Sequence, residues 1–580
     1  MKKAAIILTI LLAAAGIVWM QTAPPEVDLA TLMPSGALLY VHANDFNNVL
    51  REWNESKVKQ NWLASDNYAV FQQSNLFTKL GGAYGEYASA IGFAPVLNDI
   101  GAIAGHESAL ALYDIHDVQF VYVSRVEEAE LDKARLWTMR SKFERREVAG
   151  IPFWLRADPA SGRTVGFTYA KGFLFVATRD DLAARSLALA TGGSDPSLAS
   201  ERWYRDATTA AAKKPGELRI VMNLDALVKT GYFRSYWVQR NVSTVRQYWS
   251  GIADVSRGAH DIAETRVFLR TADNPGTGSL PADRAAVDRL VALAPRDAGL
   301  YRAWASPDAR QSVALIVEKM IAPPVATRNE SRYAPPSADL SQAAGGEADL
   351  ETRIDEPPLP SEATIDESVA PFRELVEKTG LRAAMQVEST APAGHTFIRM
   401  PCAIVLASSS PWDEPAVEEA LTRVVEPLWT TTGLGAGWQP EAAGNASVRS
   451  LAGLGKLYIA VQGDALFLAN DSSLLGELLQ RAGVSPPSTG RATYSAVFRL
   501  ARERDRYEHL MTALDSASPA NQTGYGFAAS VTRTPSLFSQ NLTSLERVFS
   551  QVREIRVTED DDGARVLQNV DYVMRDDKGR

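Results

Sequence analysis

The chain repeats itself, and the repeat limits what it can fold into more than any other feature. Leu32-Met-Pro-Ser-Gly-Ala-Leu-Leu-Tyr40 returns as Leu293-Ala-Pro-Arg-Asp-Ala-Gly-Leu-Tyr301, with Leu, Pro, Ala, Leu and Tyr in register. Gly172-Phe-Leu-Phe-Val-Ala177, followed by Leu182, returns as Gly463-Asp-Ala-Leu-Phe-Leu-Ala469, followed by Leu474. The first pair is offset by 261 residues (293 − 32) and the second by 292 (466 − 174), so the later copy carries about 31 extra residues. A unit of this length is no solenoid repeat. It predicts an α+β fold of two homologous lobes, 27–275 and 285–578, with antiparallel-rich sheets and packed helices.

The element pattern is the same in both copies. In the first, strands are predicted at Ala37–His42, Ala109–Tyr113, Val118–Val123, Ile151–Arg156, Thr164–Ala170, Phe173–Ala177, Leu218–Leu224 and Arg266–Arg270. Helices are predicted at Asn67–Ile91, Glu127–Phe143 and Leu182–Leu189. In the second, Ala383–Glu388, Cys402–Ala407, Lys456–Val461, Ala465–Ala469, Tyr494–Leu500 and Val566–Val573 read as strands, with a helix over Pro415–Glu426. Strands in groups with helices between them point to α+β, not to strict βαβ alternation.

The stretch 323–371 has eight prolines, ten acidic residues, three Arg and no Lys. Such a composition buries too little apolar area to offset its ordering entropy, so a disordered insertion is expected there. It carries −7 of the net charge of −9. The remainder is close to neutral, which disfavours nucleic acid as a partner.

Lys2 and Lys3 precede an apolar run from Ala4 to Met20 that is broken only by Thr9. As a helix those 17 residues would be about 26 Å long, enough to span a bilayer with local adjustment. Residues 1–22 are read as a signal-anchor, with the N-terminus in the cytoplasm and the body outside it. The alternative is secretion after cleavage, but a cut after Ala15 leaves Ile17-Val-Trp-Met20 exposed, and one after Ala23 meets Pro24. The lone Cys402 can form no internal disulfide and reads as a buried core residue.

Motifs that would carry chemistry are incomplete. The six histidines show no metal-ligand spacing, and no metal or cofactor is expected. Ser56-Lys-Val-Lys59 matches the Ser-x-x-Lys pattern of serine acyl-enzymes, but the companion motifs are misplaced. Gly433-Leu-Gly-Ala-Gly437 lacks dinucleotide-site spacing, and Glu559-Asp-Asp-Asp-Gly563 lacks the end ligands of a calcium loop and reads as a hairpin turn. The densest aromatic and basic stretch is Tyr232–Trp249. Read as a helix, it offers Phe233, Tyr236, Trp237, Arg240, Tyr248 and Trp249 as candidate partner contacts, since Trp, Tyr and Arg are common binding anchors.

Leu32-x-Pro-x-x-Ala-x-Leu-Tyr40, with Trp53-x-x-Ser56 downstream, resembles a bacterial family of envelope proteins of unknown function. Those proteins have an N-terminal apolar segment and a similar Pro-x-x-Ala-containing opening strand. The resemblance implies an exported body and a non-enzymatic role, and brings no catalytic residues. The sequence reading is therefore a membrane-anchored extracytoplasmic binding or scaffolding protein, with an envelope protein or a lipid-like ligand as partner. A hydrolase with a dispersed active site is the alternative.

Overall fold

Strand formation is most legible around Lys171-Gly172, where two positive φ values, 52° and 85°, close a two-residue hairpin. The apolar runs on either side become β6 (Thr164–Ala170) and β7 (Phe173–Ala177). A computed structural model describes residues 27–575, apart from 232–244, 322–359, 389–399, 427–436, 483–489, 504–548 and a few single or paired loop positions. The chain divides into two compact units, 1–52 with 75–252 and 53–74 with 253–580. Residues 53–74 group with the second unit.

The first unit is built on β1 (Leu39–Asn44), β2 (Glu107–Asp114), β3 (Gln119–Arg125), β4 (Glu144–Val148), β5 (Ile151–Ala157), β6, β7 and β8 (Leu218–Met222). All pairings are antiparallel, in the order β8-β1-β2-β3-β7-β6-β5-β4. The β1–β2 connection carries helices α1 (Phe46–Glu55), α2 (Asn75–Ile91) and α3 (Leu97–Ala104). Behind the opposite sheet face lies α4 (Asp180–Ala190), which buries Leu182, Ala183 and Leu187, and α5 (Arg202–Ala210) precedes β8. The predicted helix over Glu127–Phe143 is instead three short turns, Glu128–Leu131, Arg135–Thr138 and Arg140–Lys142. Its apolar residues do not repeat on one face, so Leu131, Leu136, Trp137 and Phe143 reach the core from separate turns.

Next come β9 (Tyr248–Arg257) and β10 (Asp261–Arg270), a paired hairpin. The second unit adds β11 (Leu300–Ala305), β12 (Leu381–Glu388), β13 (Cys402–Ser408), β14 (Gln439–Ala443), β15 (Ala446–Ala452), β16 (Lys456–Gln462), β17 (Ala465–Ala469) and β18 (Tyr494–Phe498). Their order is β18-β11-β12-β13-β17-β16-β15-β14, the order of the first unit. Beyond β18, β19 (Val552–Asp561), β20 (Arg565–Met574) and β10 extend the sheet. Asp562 accepts bonds from the Ala564 and Arg565 amides, making the β19–β20 connection a hairpin turn.

The strand register of the first unit is matched in the second residue by residue. Tyr40 faces Ala111 and Val221, and Tyr301 faces Val387 and Val497. Followed across the ladders, Ala111 leads to Val121 and Ala177, and Val387 leads to Ala403 and Ala469. The offset is therefore 261 at β1 (301 − 40), 276 at β2 (387 − 111), 282 at β3 (403 − 121) and 292 at β7 (469 − 177). The extra length of the second copy is thus spread over several connections, not held in one insertion.

Helix α6 (Pro281–Leu293) lies on one face of the second sheet, α7 (Ala309–Ile316) and α8 (Pro360–Thr379) on the other. Helix α8 corrects the end of the segment expected to be disordered over 323–371, since residues from Pro360 onward are helical. Val369, Phe372 and Val376 recur at helical spacing and are buried, which is the apolar stripe that stabilises it. Residues 322–359 lie outside the described residues. So does the run Ala4–Met20, and among the described residues no helix is long and apolar enough to cross a membrane.

Candidate functional site

The two units differ on one sheet face. In the second, Ile404, Leu406, Leu457, Leu466 and Leu468 are sealed by Val313, Ile316, Met320, Phe372 and Leu421 from the covering helices. In the first, the equivalent face carries a half-open cavity of about 480 Å³, within the size range of small-ligand sites.

The floor of this cavity is made by alternate residues of the strands: Val41 and Ala43 of β1, Leu110 of β2, Phe120 and Tyr122 of β3, and Val176 of β7. Period-two alternation sends these side chains to one side of the sheet while Tyr40, Val121, Val123 and Phe175 pack on the other. The roof is Tyr84, Tyr87 and Ile91, three positions on one face of α2, with Ile100 and Ile103 of α3 and the linking Phe93.

The polar side chains on the walls are already bonded to protein. Tyr84 Oη donates to the Pro95 carbonyl at 2.9 Å and Tyr87 Oη to the Val118 carbonyl at 2.8 Å. Tyr122 Oη donates to Ser108 Oγ at 2.9 Å, and Ser108 in turn donates to the Ala104 carbonyl. Thr178 Oγ1 accepts from the Phe120 amide at 2.8 Å, and Asp99 accepts from the Val96 amide at 2.9 Å, capping α3. Burial raises the Tyr122 phenol to about 12, against the lowering effect of its serine neighbours, so it stays neutral. The surface left to a ligand is hydrocarbon.

The roof is held by polar contacts on its outer side. Glu86 pairs with Arg163 at 2.6 Å, and Arg163 Nη1 also donates to the Asp117 carbonyl at 2.5 Å. Ser89 donates to Asp158 at 3.0 Å. Behind α1 and α3, a second depression of about 520 Å³ is lined by Asp45, Asn48, Arg51, His106, Glu130 and Lys133, a mixed-charge surface.

The lining changes at equivalent positions of the second sheet. By ladder register the lining residues Val41 and Leu110 correspond to Arg302 and Gln386, and Leu112, next along the same strand face but outside the lining, corresponds to Glu388. There, Arg302 Nε donates to Gln386 at 2.7 Å, and Gln386 bonds to Glu388, which pairs with Lys319 at 3.1 Å. Cys402 lies beside this network and is buried, and burial pushes its thiol up to about 12.

Of the partner contacts expected from the sequence, the two that are described, Tyr248 and Trp249, do not line the cavity. Phe233, Tyr236, Trp237 and Arg240 fall outside the described residues. Tyr248 and Trp249 are in β9, a strand, which corrects the helical reading; their aromatic rings suit a pleated surface, and Arg202 stacks over Trp249 at 4.9 Å. Ser56 of the Ser-x-x-Lys pattern is a helix cap: its hydroxyl accepts from the Lys59 amide at 3.1 Å and donates to the Trp53 carbonyl at 2.8 Å. Among the described residues no cluster of three or more His, Cys, Asp or Glu could hold a metal. The cavity walls were missed because they come from strands and helices far apart in sequence. The available signal was α2, whose aromatic residues alternate with Gly81, Gly82 and Gly85.

No protein-family model matches the chain, and no curated protein matches it in sequence. Among solved structures, crystal form I of TP0453 is similar over 43% of this chain and 81% of that one, at 11% identity and a TM-score of 0.23. Crystal form III of TP0453 is similar over 46% and 88%, at 10% identity and a TM-score of 0.25.

Proposed function

We propose that the protein is a membrane-anchored, extracytoplasmic binding module whose first unit holds an apolar, lipid-like ligand, in the simplest case one acyl chain. The two units arose by duplication in this reading, and the second serves as a packed scaffold. The observation that carries it is the cavity: one copy of the fold is hollow and apolar where the other is filled. Apolar cavities hold no tightly bound water, so an entering hydrocarbon displaces little that the protein retains. Burying each methylene is worth about 0.8 kcal/mol, so ten of them supply roughly 8 kcal/mol before the cost of association is subtracted. The anchor reading rests on Ala4–Met20 with its preceding lysines.

A fluorescent polyene fatty acid titrated into the full-length protein tests the proposal. Saturable emission, reversed by unlabelled fatty acid and abolished by Leu110→Trp at unchanged melting temperature, is the expected result. Emission unaffected by Leu110→Trp in a folded variant would place any bound fatty acid elsewhere.

A further inference from the structure

The mouth of the cavity carries a second signal. Among the described residues, the large apolar side chains most exposed in the first unit are Leu80 and Tyr84 (both 49%), Val96 (58%) and Leu97 (41%). Leu80 and Tyr84 are one helical turn apart on α2. Val96 and Leu97 begin α3, and the Tyr84 hydroxyl bonded to Pro95 holds the two pairs side by side. Single exposed leucines need no explanation, but a contiguous apolar patch marks an interaction surface. Tyr84 belongs to both patch and cavity wall, so the two surfaces are continuous.

Between these residues α2 carries Gly81, Gly82 and Gly85, and a Cβ at any of them would meet nothing within 4 Å. Packing therefore does not require glycine there. Glycine is the poorest helix former after proline, so this part of the roof is easily deformed, while Glu86 and Ser89 fix the far end of the helix through Arg163 and Asp158.

We infer that this patch is a membrane-contact surface, through which the cavity takes an acyl chain directly from a lipid bilayer. The inference rests on the binding reading above. A bilayer is favoured over a protein partner by the tether: only Gln21 to Val27 separate the apolar run from the folded body. Seven residues reach at most about 25 Å when fully extended, which keeps the first unit at the lipid surface. The patch is also continuous with a cavity whose walls suit only hydrocarbon.

The test uses full-length protein in phosphatidylethanolamine–phosphatidylglycerol vesicles, at about one molecule per vesicle. Cys402 is only 2% exposed, so a thiol introduced by Leu97→Cys can be labelled selectively with a polarity-sensitive fluorophore. Ser194→Cys, in the exposed loop after α4, is the control. The expected result is blue-shifted emission at position 97, quenched by spin labels on the lipid, with water-like emission at position 194. Leu80→Ser with Val96→Ser should slow uptake of fatty acid from vesicles several-fold while leaving equilibrium binding of fatty acid added from water unchanged. A water-exposed label at position 97 in protein that still binds fatty acid overturns the contact surface alone. Shielding that appears only at many molecules per vesicle assigns the patch to a second copy of the chain and also overturns it. Lipid quenching at position 97 without any fatty-acid binding keeps the surface and overturns the binding reading.

Discussion

Phe175 and Phe467 hold the same place in the strand ladders of the two units: Phe175 faces Val123 across β3–β7, and Phe467 faces Val405 across β13–β17. Each is 1% exposed. They lie on the face opposite the cavity, where both units are solidly packed, so they report on the shared frame and not on the site. Phe175→Ala and Phe467→Ala should each destabilise their own unit by about 3–5 kcal/mol. Calorimetry should show two thermal transitions, or two components of one, with a different component moved by each variant.

The first unit should lose stability in acid through Glu107. Burial alone would raise its carboxyl, but His42 at 2.9 Å and Arg125 at 3.2 Å outweigh burial and leave it below the usual range. A depressed carboxylate contributes stability that is present above its unfolded value, about 4.3, and is lost as pH falls through the folded value. The stability difference between the native protein and Glu107→Gln should therefore be largest near neutrality and shrink below about pH 4.3. Denaturant unfolding followed at a series of pH values measures it; a difference independent of pH would remove Glu107 from the account.

The acidic segment has a structural end. Deleting 323–359 with a short Gly/Ser bridge should leave the melting temperature nearly unchanged, on composition and on the slow growth of loop-closure entropy with length. Extending the deletion to 371 removes Val369, which is 8% exposed, together with the turns that lead into Phe372. That longer deletion should destabilise the second unit by at least about 2 kcal/mol, the burial of one valine side chain. Equal melting temperatures for the two deletions would contradict a structural role for the first part of α8.

These cases mark where the sequence was legible. Thr164–Ala170 and Phe173–Ala177 were readable to the residue, because a Lys-Gly turn separates two strongly apolar runs. Glu144–Val148 was not: Glu-Arg-Arg-Glu-Val has no apolar alternation, and it forms an outer strand whose first four positions are all exposed. Helix α8 was hidden by the prolines around it, though its Val369–Phe372–Val376 spacing was present. The cavity lay beyond sequence reading for a different reason. Val41, Tyr84, Leu110 and Val176 are ordinary apolar or aromatic residues one at a time, and a void is a property of how α2 and α3 sit on the sheet.

The most direct test of the central claim is native mass spectrometry of full-length protein extracted gently from its own membranes. One lipid-like mass should be retained per chain and released on unfolding, and none should be retained by Leu110→Trp, whose indole would occupy the cavity of about 480 Å³. Native protein and Leu110→Trp carrying the same bound mass, with both folded, would contradict that claim.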